Sequence, residues 1–342
     1  MSEARLVQIA RADPVLWAAL TAARDLDLPD WWIVSGAVYQ TIWNHLTGRP
    51  PGHGIRDVDL FYFDPDPSWE AEDRAIRRGA AVFAPSPPVE IRNQGRVHLW
   101  YPDRFGHTVP PFRHGADSLT HFAAETHAIG IRLLPDDRID VAAPFGLDPV
   151  FALRSLPNTR GLNRETYETK AARAVGLWPE ITVEPWPDIT LVRAEPWHDW
   201  QAIHALVTRA FAVQGGRINP PSSLTRMGPD DFRAQAEAGH ALLAHDGRAF
   251  VGCVFCHVQE GAFYLGKLAV DPDRQGQGLG RLLVEAAETE ARTQGLTALE
   301  LQTRIELREN CRTFMKLGFI KTGETSHPGF DRPTSITMRK PL

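Results

Sequence analysis

The chain of 342 residues is poor in cysteine, with three, in methionine, with four, and in lysine, which supplies only five of its 37 cationic residues. An odd and small cysteine count excludes a disulfide framework and points to a reducing compartment, with the cytoplasm as the default. Long apolar runs are missing as well. No stretch approaches the roughly 18–20 residues that a membrane helix needs. The opening MSEARLVQIARADP has no basic-then-apolar pattern, so export is not expected. Positive charge is not in excess: the net charge is −5 and the pI is near 6.2. Residues 1–187 carry 19 Lys and Arg against 24 Asp and Glu, and residues 188–342 carry 18 of each. That balance gives no general nucleic-acid or anionic-lipid footprint, although it leaves a tRNA-sized substrate open. Lys scarcity beside abundant Arg reflects base composition more than mechanism. Internal repeats and low-complexity tracts are also missing.

What is present is globular: 43% hydrophobic, 23% charged, with ten Trp. The length suits two domains of ordinary size. GLWPEITVEPWPDITLVRAEPWHDW (176–200) contains four prolines, and a new strand–helix pattern starts at Ile189, so the boundary is expected near 180–188, with domains over 1–186 and 188–342. In the first half, helical patterns at 4–26 and 37–47 alternate with strand candidates WWIVSG, VDLFYF, VEIRNQ, RVHLWY, IGIRLL and IDVAAP. This predicts an α+β or mixed α/β fold around a small mixed sheet. The second half reads as strand 189–193, helices 196–212 and 229–238, strands 240–246, 249–259 and 262–270, helix 278–294, strand 297–303, helix 308–317 and strands 319–325 and 334–340. Asp246-Gly247 between two apolar runs signals a hairpin.

Two stretches carry chemistry. In LAVDPDRQGQGLGRLLVEAAETEA (268–291) an apolar strand ending at Val270 leads through Gly276, Gly278 and Gly280 into an amphipathic helix. Glycines permit close backbone approach, and a helix N-terminus offers unpaired N–H groups to a diphosphate. Arg274 and Arg281 add cationic support. The same order suits a dinucleotide fingerprint, but the acidic residue expected on a following strand is not evident. In RDVDLFYFD (56–64), Asp57 and Asp59 share one strand face roughly 7 Å apart beside Leu60, Phe61 and Phe63. A divalent cation turns their repulsion into coordination, and Glu90, an acid inside the apolar run PPVEIRNQGRVHLWY, is a plausible third ligand. The Cys253 and Cys256 of CVFC fall on opposite strand faces and read as core residues. His107, His114, His121 and His127 lack the paired spacings of zinc motifs.

RQGQGLG resembles the Q/R-x-x-G-x-G/A motif of the GNAT superfamily of acyl-CoA N-acyltransferases, and the element order over 189–342 is similar to that fold, a mixed, mostly antiparallel sheet with flanking helices. The resemblance implies acetyl-CoA as cofactor, with its pyrophosphate on the backbone of Gln275, Gly276, Gln277, Gly278, Leu279 and Gly280. The pantetheine arm would lie along the strand through Leu268 and Val270, with a backbone N–H near Leu268 polarising the thioester, and Asn310 would sit near the pantetheine. The family's usual acid, a Tyr, is replaced at the matching position by Phe314, so Tyr264 becomes the nearest candidate acid. Glu306 is the candidate general base, His327 a further contact to the acceptor, and an amine on a small molecule or peptide the expected acceptor, held by loops 213–230 and 325–334. SGAVYQTIWNHLTG followed by RDVDLFYFD resembles the nucleotidyltransferase superfamily, and through roughly residue 186 a bacterial nucleotidyltransferase-like branch. That resemblance implies Mg2+ or Mn2+ at Asp57, Asp59 and Glu90, with a nucleoside triphosphate bound near Gly36. The family's Ser next to that glycine is Ala37 here, with Ser35 on the other side. Arg92 and Arg96 are candidates to hold phosphate or to pair with acids. Two readings stay open: two transferase activities in one chain, or one half serving as a non-catalytic or ligand-sensing module for the other.

Overall fold

The computed structural model describes residues 2–83 and 87–342, and the chain divides into two compact units, Met1–Pro187 and Asp188–Leu342. The first unit starts with α1 (Ser2–Ala12) and α2 (Pro14–Leu26). The sequence suggested one continuous helix here, but Pro14 has no N–H to continue the ladder. Instead, the Asp13 Oδ1 accepts from the N–H groups of Val15 at 3.0 Å and Leu16 at 2.9 Å, which caps a second helix. The elements that follow are β1 (Trp32–Val34), α3 (Gly36–Thr47), β2 (Val58–Tyr62), α4 (Trp69–Val82), β3 (Val89–Asn93), α5 (Val97–Phe105), β4 (Gly130–Leu133) and β5 (Ile139–Ala142). A short α6 (Asp148–Phe151), β6 (Arg154–Ser155), α7 (Arg164–Leu177) and β7 (Thr182–Val183) complete the unit.

Its main sheet runs β3-β2-β1-β4-β5, with β2 and β3 parallel and the other pairs antiparallel. Alternation sorts the two faces. Ile33, Leu60 and Ile131 stand in register and enter the main core with α1, α2 and α3, whereas Trp32, Val34 and Phe61 pack on the other face against Leu119 and Phe122. Asp57 and Asp59 belong to this second face.

RVHLWY is a helix rather than the strand its β-branched and aromatic content suggests. Val97, Trp100 and Tyr101, spaced by three and four, meet Val109 and Phe112 in a small cluster, while Leu99 is left exposed. Further helices escape the sequence reading. The inner face of α4 is Ala71, Glu72, Ala75 and Gly79, too small and too polar to register as an apolar stripe. Gly79 is needed because a Cβ there would lie 2.1 Å from the Ile91 Cδ1. Glu72 is 1% exposed; its carboxylate takes the Asn93 N–H at 2.9 Å and pairs with Arg96. Arg96 is thereby committed to structure. The longer of the other missed helices, α7, buries only Tyr167, Ala171 and Ala174.

The second unit contains β8 (Thr190–Arg193), α8 (Trp200–Phe211), α9 (Pro229–Ala238), β9 (His240–His245), β10 (Phe250–Gln259) and β11 (Ala262–Val270). It continues with α10 (Leu279–Thr293), β12 (Ala298–Arg304), α11 (Arg308–Lys316), β13 (Ile320–Thr325) and β14 (Ser335–Pro341). The sheet order is β13-β14-β12-β11-β10-β9-β8, and β11 with β12 is its parallel pair. Leu283, Val284, Ala287 and Ala291 of α10 pack against Phe263, Leu299 and Met338, all buried. Cys253 and Cys256 are buried and unpaired by disulfide, and burial pushes the Cys253 thiol up to about 12. Among the described residues, no helix is long and apolar enough to cross a membrane.

The buried Glu72–Arg96 pair ties α4 to the end of β3. Glu72→Ala strands a nearly buried guanidinium, and the expected loss is about 3 kcal/mol. Eight of the ten Trp lie before residue 188. Urea unfolding of the full chain followed by Trp fluorescence therefore reports chiefly on this unit; an unshifted midpoint would show the pair to be dispensable.

Candidate functional site

In the first unit, β1 ends at Val34 directly opposite Asp59, and Asp59 is in register with Glu90 on β3. The β1–α3 turn therefore delivers Ser35 and Gly36 beside the carboxylates. Ser35 holds φ +56° and ψ −121°, a conformation disfavoured for a residue with a side chain. The turn is kept by backbone bonds: Ser35 N–H donates to the Ile129 carbonyl at 2.9 Å, and its carbonyl accepts from Val38 and Tyr39, each at 3.0 Å. The result is a cleft of about 430 Å³ whose walls include Gly36, Asp57, Asp59, Glu90, Trp100 and Tyr101.

The electrostatics of the three acids differ. Asp57 is exposed, and Asp59 is half-buried. Burial first, and Asp57 second, push the Asp59 carboxyl up to about 7; Glu90 adds to the rise, while Lys170 and Arg92 oppose it. Glu90 is claimed by Arg92, whose Nε donates to its Oε1 at 3.0 Å and whose Nη2 reaches the same oxygen. Among the described residues, no three His, Cys, Asp or Glu side chains stand grouped to hold a metal ion. A divalent cation thus fits the Asp57–Asp59 pair, whose repulsion it would relieve, while both Arg92 bonds fall on the Glu90 Oε1. The reason is geometric: Glu90 and Arg92 are two residues apart on one strand face, where neighbouring side chains meet.

Residues that the sequence reading passed over also line this cleft. Thr166, Lys170 and Arg173 come from α7, and their spacing of four and three puts them on one helical face. That spacing was the available signal, hidden because α7 itself was not recognised. The imidazole of His127 stacks on Tyr39 at 4.2 Å in the interior.

In the second unit, the register Phe263↔Leu299, Tyr264↔Glu300 and Leu265↔Leu301 ends the pairing of β11 with β12, though both strands continue. The separation opens a cleft of about 520 Å³ lined by Tyr264, Leu268, Val270, Gln275, Asn310 and Phe314, together with Arg304 and His327. The other edge of β11 carries a bulge. Cys253 pairs with Ala269 and Phe255 with Gly266, so Lys267 and Leu268 stand opposite Val254 alone, and Lys267 takes φ +45°. The side chain of Lys267 bonds Gln235 and lies over Phe232 and Phe255.

From Val270 the chain enters an exposed loop. Gly276 at φ +77° and Gly278 at φ +86° need glycine for conformation rather than for space, since an added Cβ would meet nothing within 4 Å. Gly278 caps α10, and buried Leu279 anchors its first turn. Arg274 braces the loop through Gln277 at 3.0 Å and Asp246 at 3.1 Å, whereas Arg281 is exposed. Phe314 packs edge-on against Phe319 at 5.9 Å. Burial raises the pKa of the Tyr264 phenol.

Glu306 is not among the residues lining this cleft. Its Oε1 accepts the Asn219 N–H at 3.2 Å, and its Oε2 lies 3.8 Å from the Arg304 Nε. Arg304, which the sequence reading did not single out, faces the cleft in its place.

In comparison with known families, residues 21–183 match the nucleotidyltransferase family and residues 193–319 the GNAT acetyltransferase family. The chain is a fusion of these two domains. Over 160 residues, covering 46% of this chain and 99% of the relative, it is 29% identical to the IAA acetyltransferase of Azospirillum brasilense. Among solved structures it is similar to a CCA-adding enzyme head domain, at 25% identity over 53% of this chain and 94% of that one, with a TM-score of 0.45. It is also similar to the ribosomal-protein-S18-alanine N-acetyltransferase of Escherichia coli, at 24% identity over 45% of this chain and 93% of that one, with a TM-score of 0.36.

The Asp57–Asp59 pair makes a direct prediction. Mn2+ titrated into the full chain should bind at least ten-fold more weakly after Asp57→Asn, and Glu90→Gln should matter less. Equal affinities for wild type and Asp57→Asn in calorimetry would remove the cation from this cleft.

Proposed function

We propose that the C-terminal domain transfers an acetyl group from acetyl-CoA to an amine. The observation that carries this reading is the separation of β11 from β12 at Leu265 and Leu301 immediately before the glycine loop. It leaves strand edges exposed along the length that a pantetheine arm would occupy, and places a helix N-terminus where a pyrophosphate would end. In this reading the backbone of Gln275 to Gly280 receives the pyrophosphate, with Arg274 holding the loop in shape. The bulge at Lys267 and Leu268 turns a backbone N–H towards the thioester oxygen.

The reaction needs a neutral amine, since an ammonium has no lone pair. Its nitrogen attacks the thioester carbon, the nitrogen releases a proton to solvent water, the C–S bond breaks, and the departing thiolate takes a proton. Phe314 has none to give. Tyr264 lines the cleft, and burial keeps its phenol protonated, so it is the donor we assign. Glu306 lies behind Arg304 and is better placed to support that side chain than to take a proton from substrate.

For the N-terminal domain we propose binding of a nucleotide with a divalent cation at Asp57 and Asp59. The cation would supply Lewis-acid stabilisation of the leaving diphosphate. Lys170 and Thr166 of α7, which line the cleft, would supply phosphate contacts in this reading, with backbone N–H groups near Gly36. The Glu90–Arg92 pair favours a second reading, in which this cleft binds a nucleotide without transferring it.

Calorimetry with CoA, followed by free-thiol release across a panel of amines, tests the first proposal. CoA should bind wild type, and Gly278→Val should weaken it at least ten-fold, because a β-branched residue resists φ near +86°. Tyr264→Phe should lower kcat by roughly ten- to a hundred-fold with little change in CoA affinity. Absence of CoA binding, or binding indifferent to Gly278, would refute the assignment. Incubation with Mg2+ and labelled nucleoside triphosphates, scored for released pyrophosphate, separates transfer from binding alone in the N-terminal domain.

A further inference from the structure

The cleft of the C-terminal domain contains a cation with too few hydrogen bonds. Arg304 ends β12 in register with Ser335, and its side chain is 12% exposed. A guanidinium has five N–H donors. Here Nε and Nη2 donate to nothing, and Nη1 has only the His327 Nε2 at 3.5 Å. The carboxylate of Glu306 balances the charge at 3.8 Å, too far for a hydrogen bond, and its Oε2 is itself buried without a partner.

The neighbours are otherwise engaged. The His327 Nδ1 is 2.6 Å from the Thr334 Oγ1, which also accepts the His327 backbone N–H at 2.9 Å, so the imidazole is fixed by its own loop. The Glu306 Oε1 is taken by Asn219, and the side chain of Arg217, across the cleft lining, is paired with Glu309. Burying a charge with donors unmade is costly unless a partner completes it. The partner that best suits this fork is planar, singly anionic and able to present two oxygens, which describes a carboxylate. A dianionic phosphate is disfavoured by the Glu306 charge behind the guanidinium.

We infer that the acceptor carries a carboxylate as well as the amine, that Arg304 receives it, and that the substrate class is therefore amino acids rather than simple amines. The inference rests on the acetyl-transfer reading for the fate of the amine, but the carboxylate contact is measurable without turnover.

The test uses the full chain and matched pairs that differ by the carboxylate: tryptophan and tryptamine, phenylalanine and phenethylamine, leucine and isoamylamine. Binding is measured by calorimetry with and without CoA, and turnover by thiol release. At least one amino acid should bind, and be acetylated with kcat/KM at least ten-fold above its decarboxylated partner. Arg304→Gln should collapse that ratio towards one through KM, and Arg304→Lys, which keeps the charge without the fork, should fall between. CoA affinity serves as the control for folding of each variant. No carboxylate preference in any pair, or a preference that survives Arg304→Gln, overturns the inference. Arg304-dependent binding of an amino acid without thiol release would leave the carboxylate site standing and overturn acetyl transfer instead.

Discussion

Each main sheet contains one parallel strand pair within an otherwise antiparallel order, β2 with β3 and β11 with β12. That constraint shapes both clefts. A parallel neighbour cannot be reached by a hairpin, so the chain must cross over through a helix, α4 in one unit and α10 in the other. In the first unit the crossover brings Glu90 level with Asp59. In the second it ends pairing after three residues, and the strands part around a cavity with a helix N-terminus at its rim. Functional groups collect at the parallel pair because there the backbone changes layer and side chains from distant segments become neighbours.

The two units use charge in opposite ways. In the N-terminal cleft the acids crowd one another although Arg56, Arg92, Arg104, Lys170 and Arg173 share its lining: burial first, and Asp57 second, make Asp59 resist ionisation. A positive ligand lowers that cost. In the C-terminal cleft the unmet group is positive: Arg304 is buried with donors unmade, and a negative ligand lowers the cost there. Elsewhere buried polar groups do find partners, such as Trp178 bonding Asn44 at 3.0 Å and Trp43 bonding the Val150 carbonyl at 3.1 Å.

Much of this was legible in the residues. The glycines of RQGQGLG, the alternation of DVDLFYF and the order of elements after residue 188 carry their meaning locally, because a positive φ, a two-residue period and a strand-to-helix switch are short-range properties. The misses share a cause too. The contacts of α4 are made by alanine, a glycine and a buried ion pair, and α5 has strand-like residues at helical spacing, so tertiary packing decided both. The sequence offered Arg92 as an ion-pair candidate near Glu90, though it did not show which acid that guanidinium would claim. Arg304 went unmarked for the same reason: one arginine at a strand end looks like many others until its unpaired nitrogens are found buried.

The phenylalanine at position 314, where the resemblance implies a tyrosine, then has a structural reading. Phe314 fills its place by packing on Phe319, which closes that wall of the cleft with apolar surface. A phenol there would have projected from α11, whereas Tyr264 presents its own from β11, the strand that would border the thioester. Under acetyl transfer, the proton donor and the bulged backbone would then sit on one strand, four residues apart from Tyr264 to Leu268. The acceptor side is left to β12, where Arg304 stands at the strand end with Glu306 behind it. Such a division would place acyl activation on β11 and acceptor recognition on β12, on the two sides of the gap that opens after Leu265 and Leu301.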